Sequence, residues 1–353
     1  MKVTAVRSYV IDKLNRMFEP KSVAVIGASR NPNKIGHQVL RNLVEGGFKG
    51  DIYPINPSAE EILGIKCYSR VTEVPGEVDL AVIAVPAKVT KEVVLDCAKK
   101  KVGSIAMITS GFSEVGNVEL ENEIVRICRE HEIPLLGPNI VGILDVSSKC
   151  NASFCQAMPY PGRIAFISQS GALIIALIGW TWMDKVGLSS VASIGNMADV
   201  DIAELIAYYG EKDEDTNCIA LYIEGLKNGR LFMDVVKSVS LKKPIIALKA
   251  GVSARGAKAA MSHTGSLAGS ARIYEAAFEQ CGAILVSNLE ELFDSALALS
   301  LQPPMMGDFC IVITNGGGAG VCATDHAERY GIPLKDTPPN LVEKMRKYMP
   351  EFG

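Results

Sequence analysis

The sequence lacks the features that mark nucleic-acid-binding, membrane or exported chains. The chain has 36 Lys and Arg and 39 Asp and Glu, which gives a formal charge of −3 over 353 residues. Such a small charge produces no overall electrostatic attraction to nucleic acid or anionic lipid. Aromatic residues make up only 6% and do not alternate with basic ones, which argues against a platform for single-stranded nucleic acid. The longest apolar run, Ala172 to Trp180, is too short to span a membrane, and residues 1–14 contain no apolar signal segment.

Patterns for metal ions and disulfides are missing as well. None of the nine cysteines forms a Cys-x-x-Cys pair, and the four histidines lie far apart and away from any cysteine at metal-ligand spacing. We therefore expect no metal site, and reduced thiols in a cytoplasmic protein. What the chain has instead is 48% hydrophobic residues, enough for sizeable cores.

Short apolar segments alternate with helical patterns along most of the chain, which predicts an α/β fold built from doubly wound parallel sheets. The predicted strands of a first domain are Ser22–Ile26, Asp51–Ile55, Leu80–Ala84, Ser104–Ile108 and Ile133–Leu136, with helices at Ile35–Leu43, Lys91–Lys100 and Glu119–His131. Those of a second domain are Arg163–Ile167, Ser190–Ser193, Cys218–Ile223 and Pro244–Leu248, with helices at Ala172–Met183, Ile202–Tyr209 and Leu231–Ser238.

Two stretches that contain Pro and Gly divide the chain, at Ser147–Gly162 and at Gln302–Asp308. They predict a first domain over 1–146, a second over 147–302 and a third segment over 303–353. The third segment has one predicted strand, Phe309–Thr314, and one helix, Val321–Tyr330. Because a single βα unit cannot bury both of its faces, we expect a third α/β domain that is incomplete or completed by a partner.

Loops that could bind a ligand follow several strands of the first domain. Gly27-Ala28-Ser29 comes after the first strand, where a glycine lets a phosphate approach free N–H groups at a helix N-terminus. A tight turn without a ligand is the alternative. Further loops lie at the same carboxyl edge, which is where doubly wound sheets bind ligands: Asn56-Pro57, Val85-Pro86 and Thr109-Ser110.

A nicotinamide cofactor is disfavoured for this domain. The G-x-G-x-x-G fingerprint is absent, since the next glycine after Gly27 is Gly36. The second strand ends at Asn56 without the acidic residue that would hold a ribose. An NAD-dependent dehydrogenase is therefore the weaker interpretation.

Two motifs of the second domain point to phosphate chemistry. Ser168-Gln-Ser170-Gly171 stands between a strand and an apolar helix, so it could hold an anion at the helix N-terminus or act as a plain N-cap. It does not match the G-x-S-x-G elbow of hydrolases. His263 lies among small residues that would leave its imidazole accessible, although an isolated loop histidine can also be a simple surface residue.

A nucleophilic histidine needs a partner that orients it, usually a carboxylate. Glu224 offers one, because it follows a predicted buried strand, although a glutamate at a strand end can simply be solvated. In the third segment, the glycine cluster Gly316–Gly320 could hold a phosphate or let backbones pack closely.

Taken together and in order, these motifs resemble the α subunits of ADP-forming acetyl-CoA synthetases, which are acyl-CoA synthetases related to succinyl-CoA synthetase. The resemblance covers nearly the whole chain. The matching segments are Ser22–Ser29, Tyr53–Pro57, Ala84–Pro86, Ile108–Phe112, Gly137–Asn139, Ile167–Gly171, Tyr222–Gly225, Ser262–Gly265 and Thr314–Gly317.

The resemblance implies a Rossmann-like CoA-binding domain followed by a flavodoxin-like domain with a transiently phosphorylated histidine. His263 matches that histidine and Glu224 the carboxylate that holds it. The implied phosphate-binding residues are Ser168, Ser170, Gly171 and Gly265. The implied CoA contacts are Gly27, Ala28, Ser29, Asn56, Pro57, Val85, Pro86, Ser110 and Asn139.

The family couples acyl-CoA, ADP and phosphate to a small carboxylic acid, CoA and ATP. The resemblance implies that ADP or ATP and Mg²⁺ bind an ATP-grasp β partner, most simply in an α2β2 assembly, with no metal on this chain. No ATP-grasp segment is present, and the third segment is shorter than the family's third α domain, so the chain resembles a truncated α subunit. A non-catalytic CoA-binding or regulatory module of the same superfamily is the alternative, which His263 and Glu224 together disfavour.

Overall fold

The computed structural model describes residues 6–253, 255–256, 271–303 and 305–349. These residues form two compact units, one that ends at Leu301 and one that begins at Gln302. The first unit contains both of the large sheets.

The first sheet is parallel throughout, with the strand order β2-β1-β5-β6-β7. A small antiparallel hairpin, β3 and β4, follows β2. The strands of this part are β1 (Ser22–Ile26), β2 (Asp51–Ile55), β3 (Glu61–Ile62), β4 (Ile65–Lys66), β5 (Leu80–Ile83), β6 (Ser104–Met107) and β7 (Leu135–Leu136). The helices are α1 (Ser8–Phe18), α2 (Ile35–Glu45), α3 (Thr90–Lys100) and α4 (Val118–Glu130), with short 3-10 turns at Val71–Glu73, Ala87–Val89 and Ser113–Val115.

The second sheet has a parallel centre and an antiparallel edge, in the order β14-β13-β12-β10-β11-β8-β9. Its strands are β8 (Gly142–Asp145), β9 (Cys150–Ser153), β10 (Pro161–Ser168), β11 (Leu188–Ser193), β12 (Cys218–Ile223), β13 (Ile245–Lys249) and β14 (Ile284–Val286). Its helices are α5 (Gly171–Met183), α6 (Ile202–Glu211), α7 (Gly229–Val239), α8 (Ala271–Cys281) and α9 (Leu289–Leu301).

The two sheets share a hydrophobic core. Alternate residues of a strand face opposite sides of a sheet, and in β1 Val25 belongs to the shared core while Ile26 packs on the far side of the first sheet. The shared core continues to Ile167 of the second sheet. The ring of Phe18 in α1 stacks on Tyr208 of α6, with the ring centroids 5.3 Å apart. The first two predicted domains therefore pack as one unit.

A buried ion-pair network also joins the two parts of this unit. The carboxylate of Asp199 has no exposed surface, and its Oδ1 accepts from Arg7 at 2.6 Å and from Arg129 at 2.8 Å. Arg7 also donates to Glu204, which completes a capping box with Asp201 at the start of α6. Buried charges are tolerated when they are paired and hydrogen-bonded in this way.

The α/β architecture predicted from the periodicity is confirmed, and three predicted strands, Ser22–Ile26, Asp51–Ile55 and Cys218–Ile223, have the same bounds in the structure. The predicted boundary between residues 146 and 147 falls inside the β8–β9 hairpin. The reason is that β8 pairs antiparallel with β11, which places residues 142–145 in the second sheet.

The second unit holds α10 (Gly317–Arg329), α11 (Pro339–Met345) and a 3-10 turn at Arg346–Tyr348. The strand predicted at Phe309–Thr314 is wrong for the residues described there. Among the described residues of this segment, only Cys310 forms a β-bridge, to Leu334. The rest of the segment pairs with no other described strand of this unit.

Candidate functional site

A cavity of about 980 Å³ opens at the carboxyl edge of the first sheet. It is bordered by the loops after β1, β2 and β5 and by the first residues of α2 and α3 with their preceding turns. Seven of the nine residues expected to contact CoA line it: Gly27, Ala28, Ser29, Asn56, Pro57, Val85 and Pro86. This grouping follows from the parallel sheet, which brings the ends of β1, β2 and β5 to one edge.

Close backbone packing shapes the floor of the cavity. Gly27 has φ +96°, and a Cβ on it would lie 2.5 Å from the carbonyl oxygen of Ala84. A Cβ on Gly36 would lie 2.0 Å from the carbonyl oxygen of Gly27. Only glycine lets the N-terminus of α2 approach the β1 turn this closely. The two glycines act together although eight residues separate them, so no standard fingerprint reveals the pair.

Side chains tie the intervening loop down. The amide of Asn56 donates to the carbonyl oxygen of Ala28 at 2.7 Å, and Nδ1 of the buried His37 lies 2.7 Å from the carbonyl oxygen of Ser29. The loop is thereby ordered before a ligand binds. Such preorganisation lowers the entropic cost of binding.

Sequence reasoning missed the cations of this cavity. Lys34 is the N-cap residue of α2, and Arg70 lies between β4 and β5. Arg70 pairs with Asp96 at 2.6 Å, and this pairing raises the pKa of its guanidinium. A lysine directly before the helix would have been a usable signal, because a helix N-terminus and a cation both favour an anion.

Ser110 and Asn139, the other two expected CoA contacts, lie outside the lining of this cavity. Both stand at the edge formed by the ends of β6 and β7. Asn139 has φ +62°, its N–H donates to Thr109 at 2.9 Å, and its side chain lies 3.4 Å from that of Asn196. The loop that carries Ser110 nevertheless adjoins the cavity, because the hydroxyl of Thr109 donates to the carbonyl oxygen of Val85 at 2.8 Å.

The loops after β7 and β11 interlock at this place. The N–H groups of Asn196 and Ala198 donate to Pro138 and Gly137 at 3.0 and 2.9 Å. A Cβ on Gly195 would lie 2.3 Å from the carbonyl oxygen of Pro138. The carboxyl edges of the two sheets are therefore joined by direct backbone contacts.

The predicted phosphate-binding turn stands at the end of β10. Ser170 is the N-cap of α5 and its hydroxyl accepts from Leu173 N at 3.3 Å, while Ser168 Oγ accepts from Ser170 N at 3.1 Å. Gly171 opens the helix, where a Cβ would lie 2.6 Å from Val141 Cγ2. The turn therefore caps a 13-residue helix, and its remaining N–H groups stand at the positive end of the helix dipole.

Glu224 lies beside this turn because β10 and β12 are neighbouring parallel strands. Its backbone N–H donates to Oε1 of Gln169 at 2.5 Å, and the residue is only 8% exposed. Glu224 is therefore buried, whereas the alternative interpretation was a solvated glutamate at a strand end. Gln169 was not singled out from the sequence.

A buried lysine stands on the other side of Glu224. Lys249, the last residue of β13, donates from Nζ to the carbonyl oxygen of Glu224 at 3.0 Å, and lies 4.6 Å from the ring centroid of Tyr274. Burial lowers the pKa of its ammonium group, and the negative charge of Glu224 opposes that shift. Burial and the charge of Glu224 together raise the pKa of Tyr222.

His263 and Gly265, the remaining predicted phosphate-site residues, lie outside the described residues. In the second unit, a Cβ on Gly316, Gly317 or Gly318 would meet no atom within 4 Å. Close packing among the residues described there does not require these three glycines.

No group of three or more His, Cys, Asp or Glu among the described residues could hold a metal ion. Over the same residues, no helix combines the length and the apolar character needed to cross a membrane.

Two known family models match the two halves of the first unit. Residues 21–145 match the family model of a CoA binding domain, and residues 161–299 match the succinyl-CoA ligase like flavodoxin domain. Among curated proteins, the chain is 50% identical over 348 residues to the acetate–CoA ligase [ADP-forming] I subunit alpha of Pyrococcus furiosus, covering 96% of this chain and 74% of the relative.

A longer relative and a solved structure agree with this. The acetate–CoA ligase [ADP-forming] of Methanocaldococcus jannaschii is 46% identical over 338 residues, which is 96% of this chain and 47% of that protein. The structure of acetyl-coenzyme A synthetase 1 from Ca. Korarchaeum cryptofilum, in complex with phosphate and ADP, superposes with a TM-score of 0.90 at 49% identity. That match covers 96% of this chain and 73% of the solved chain.

Proposed function

Since the chain belongs to the α-subunit family of ADP-forming acyl-CoA ligases, we propose that it acts through an acyl phosphate and a phosphohistidine. The overall reaction interconverts acyl-CoA, ADP and phosphate with a carboxylic acid, CoA and ATP. One observation carries the assignment of the site: the turn Ser168–Gly171 and the buried Glu224 adjoin at neighbouring strand ends.

The substrate CoA binds in the cavity at the edge of the first sheet. The volume of about 980 Å³ suits a ligand of this size, and the glycine-lined α2 N-terminus with Lys34 suits its phosphates. Binding of NAD is disfavoured, because β2 is followed by Asn56 and not by the acidic residue that would hold the ribose. Ser110 and Asn139 remain candidates for the reacting end of CoA rather than for the cavity itself.

The phosphoryl group moves through the second edge. In the direction of ATP formation, phosphate attacks the thioester of acyl-CoA and CoA leaves as the thiolate, which gives an acyl phosphate. One ring nitrogen of His263 then attacks phosphorus, so that an N–P bond forms, the P–O bond to the acyl group breaks, and the carboxylate leaves. The carboxylate of Glu224 accepts the hydrogen bond of the other ring N–H and stabilises the positive imidazolium.

The N–H groups of the Ser168–Gly171 turn hold the phosphoryl oxygens, together with Gly265. In this step backbone N–H groups, and no metal ion on this chain, balance the phosphoryl charge. Without His263 the same fold would be a CoA-binding or regulatory module, and the buried position of Glu224 favours catalysis over that alternative.

Closing the cycle needs a nucleotide-binding partner. We place ADP or ATP and Mg²⁺ on an ATP-grasp β subunit, in an α2β2 assembly. Two facts support a partner: the relative from Pyrococcus furiosus is named a subunit alpha, and this sequence contains no G-x-x-x-x-G-K-[ST] pattern. A cytoplasmic location belongs to the same proposal, because all nine cysteines are free thiols.

Radiolabelled acetyl phosphate tests the phosphohistidine directly. The wild-type chain should take up label that acid removes and base does not, and His263→Asn should take up none. Label that survives acid, or that maps to Ser168 or Ser170 in the His263→Asn chain, would show that the nucleophile is misassigned. Calorimetry with CoA and NAD tests the cavity, and saturable binding of NAD but not CoA would contradict it.

A further inference from the structure

The peptide groups of Glu224 are held from both sides by buried side chains. Oε1 of Gln169 accepts from the N–H of Glu224 at 2.5 Å and from the N–H of Gly225 at 3.0 Å. Nζ of Lys249 donates to the carbonyl oxygen of Glu224 at 3.0 Å. Gln169 is 9% exposed and Lys249 5%, so water does not compete freely for these bonds.

Three neighbouring strands bring these residues together. Gln169 follows β10, Glu224 follows β12, and Lys249 ends β13, in a register that pairs Ser168 with Tyr222 and Ile223 with Lys249. The three residues thus lie side by side at the carboxyl edge. The contacts run from β10 through β12 to β13, and they link the phosphate-binding turn to the backbone of Glu224.

Lys249 occupies an unusual environment for an ammonium group. Among the described residues, its ammonium group donates to the carbonyl oxygens of Glu224 and Ala250, and it lies against the ring of Tyr274. Burying an ammonium group costs free energy, whereas an apolar side chain of similar length would fill the space without that cost. The contacts that the ammonium group makes are directed at the Glu224 turn.

We propose that Gln169 and Lys249 are positioning residues that fix the Glu224 carboxylate for phosphoryl transfer to His263. The inference rests on the proposed function. The backbone of a residue sets the direction of its Cα–Cβ bond and limits its rotamers. Gln169 and Lys249 hold the N–H and the C=O of Glu224. A displacement of about 1 Å at a reacting group can cost on the order of 100-fold in rate.

The chain offers matched controls for both substitutions. Lys243 precedes β13 and is half-buried, and its ammonium group donates to the carbonyl oxygens of Tyr209 at 2.6 Å and Asp213 at 2.5 Å. Lys243→Met therefore removes a similar pair of bonds away from Glu224. Gln280, exposed in α8, provides the control Gln280→Met for Gln169→Met.

The experiment measures the rate of labelling by radiolabelled acetyl phosphate as its concentration is varied, in the purified full chain. We expect Gln169→Met and Lys249→Met each to label roughly tenfold more slowly at saturation, with the half-saturating concentration unchanged. Lys243→Met should lower the melting temperature as much as Lys249→Met does, yet label at the wild-type rate. Gln280→Met should change neither.

Combination with Glu224→Gln separates positioning from a structural role. Residues that act through the Glu224 carboxylate should add no further slowing once it is removed. Further slowing in the double variants, or wild-type rates in Gln169→Met and Lys249→Met, would overturn the inference alone. A wild-type chain that takes up no label, or label retained in His263→Asn, would overturn the proposed function and the inference with it.

Discussion

The carboxyl edges of the two sheets are built in different ways for their proposed tasks. At the first edge the site is formed mainly by backbone groups. Gly27 and Gly36 let α2 approach the β1 turn so closely that a Cβ at either position would clash. At the second edge the site depends on side chains, because those of Gln169 and Lys249 hold the turn that carries Glu224. A site that binds CoA through its phosphates can rely on N–H groups, whereas one that stabilises a transient charge needs a placed carboxylate.

Gly36→Ala should have the largest effect and should act on the first edge. The added Cβ would lie 2.0 Å from the carbonyl oxygen of Gly27, so α2 must move. We expect a loss of about 1–3 kcal/mol in the free energy of unfolding, typical of overpacking, and CoA affinity reduced by roughly 100-fold, which calorimetry measures.

Gly229→Ala is the matched control for that change. Gly229 opens α7, and a Cβ on it would meet no atom within 4 Å. This variant should bind CoA like the wild type. Wild-type CoA affinity in Gly36→Ala would show that the close approach of α2 does not shape the site.

Glu224→Gln should come next and should act on the second edge. It removes a charge-assisted hydrogen bond worth roughly 1.5–3 kcal/mol, so labelling by acetyl phosphate should slow by roughly 10- to 100-fold. CoA binding should be unchanged in calorimetry. If Glu224→Gln instead lowers CoA affinity as strongly as Gly36→Ala does, the two edges are not separate in function.

The sequence predicts the first edge better than the second for a physical reason. Turns such as Gly27-Ala28-Ser29 are local features, and parallel strands bring them to one edge by rule. Gln169 and Glu224 are 55 residues apart and meet only because β12 pairs with β10, a strand order that the apolar pattern does not contain.

The pattern of apolar residues also fails to predict short strands that contain polar residues. The segment Cys150–Ser153 reads as a linker, yet it is fully buried as β9 because it pairs with β8. The predicted Phe309–Thr314 strand shows the opposite error, since an apolar run forms a ladder only where a neighbouring strand pairs with it. Pairing partners, which periodicity does not specify, decide both cases.

Buried thiols should give both halves of the first unit a shared sensitivity to alkali. Burial raises the pKa of Cys218 to about 12, and that of Cys97 rises as well. A thiol with a raised pKa in the folded state contributes stability that is complete below its unfolded pKa of about 9 and is lost as pH rises toward the folded value. For Cys218 this loss reaches about 1.4 kcal/mol at pH 10.

Urea unfolding at pH 7 and at pH 10 measures this loss. The difference in the free energy of unfolding between the two pH values should shrink in Cys218→Ala and stay unchanged in the control Cys322→Ala, because Cys322 is exposed. An equal difference in wild type and Cys218→Ala would contradict the assignment of this sensitivity to the Cys218 thiol.

Lys34→Met should have the smallest effect of the four. Lys34 is exposed at the mouth of the cavity, where solvent and salt screen its charge. We expect CoA affinity to fall by roughly threefold, as for a surface ion pair, and the loss to shrink as salt is added. Lys49→Met, at an exposed position outside the cavity lining, should leave the affinity unchanged.

In the proposed function, one edge binds CoA and the other transfers the phosphoryl group. The most direct measurement is labelling by acetyl phosphate in Gly36→Ala and Glu224→Gln side by side, each shown to be folded by its melting transition. The account predicts that Gly36→Ala labels on His263 at a rate close to the wild type while Glu224→Gln labels at least tenfold more slowly. Slow labelling in Gly36→Ala together with wild-type labelling in Glu224→Gln would contradict it.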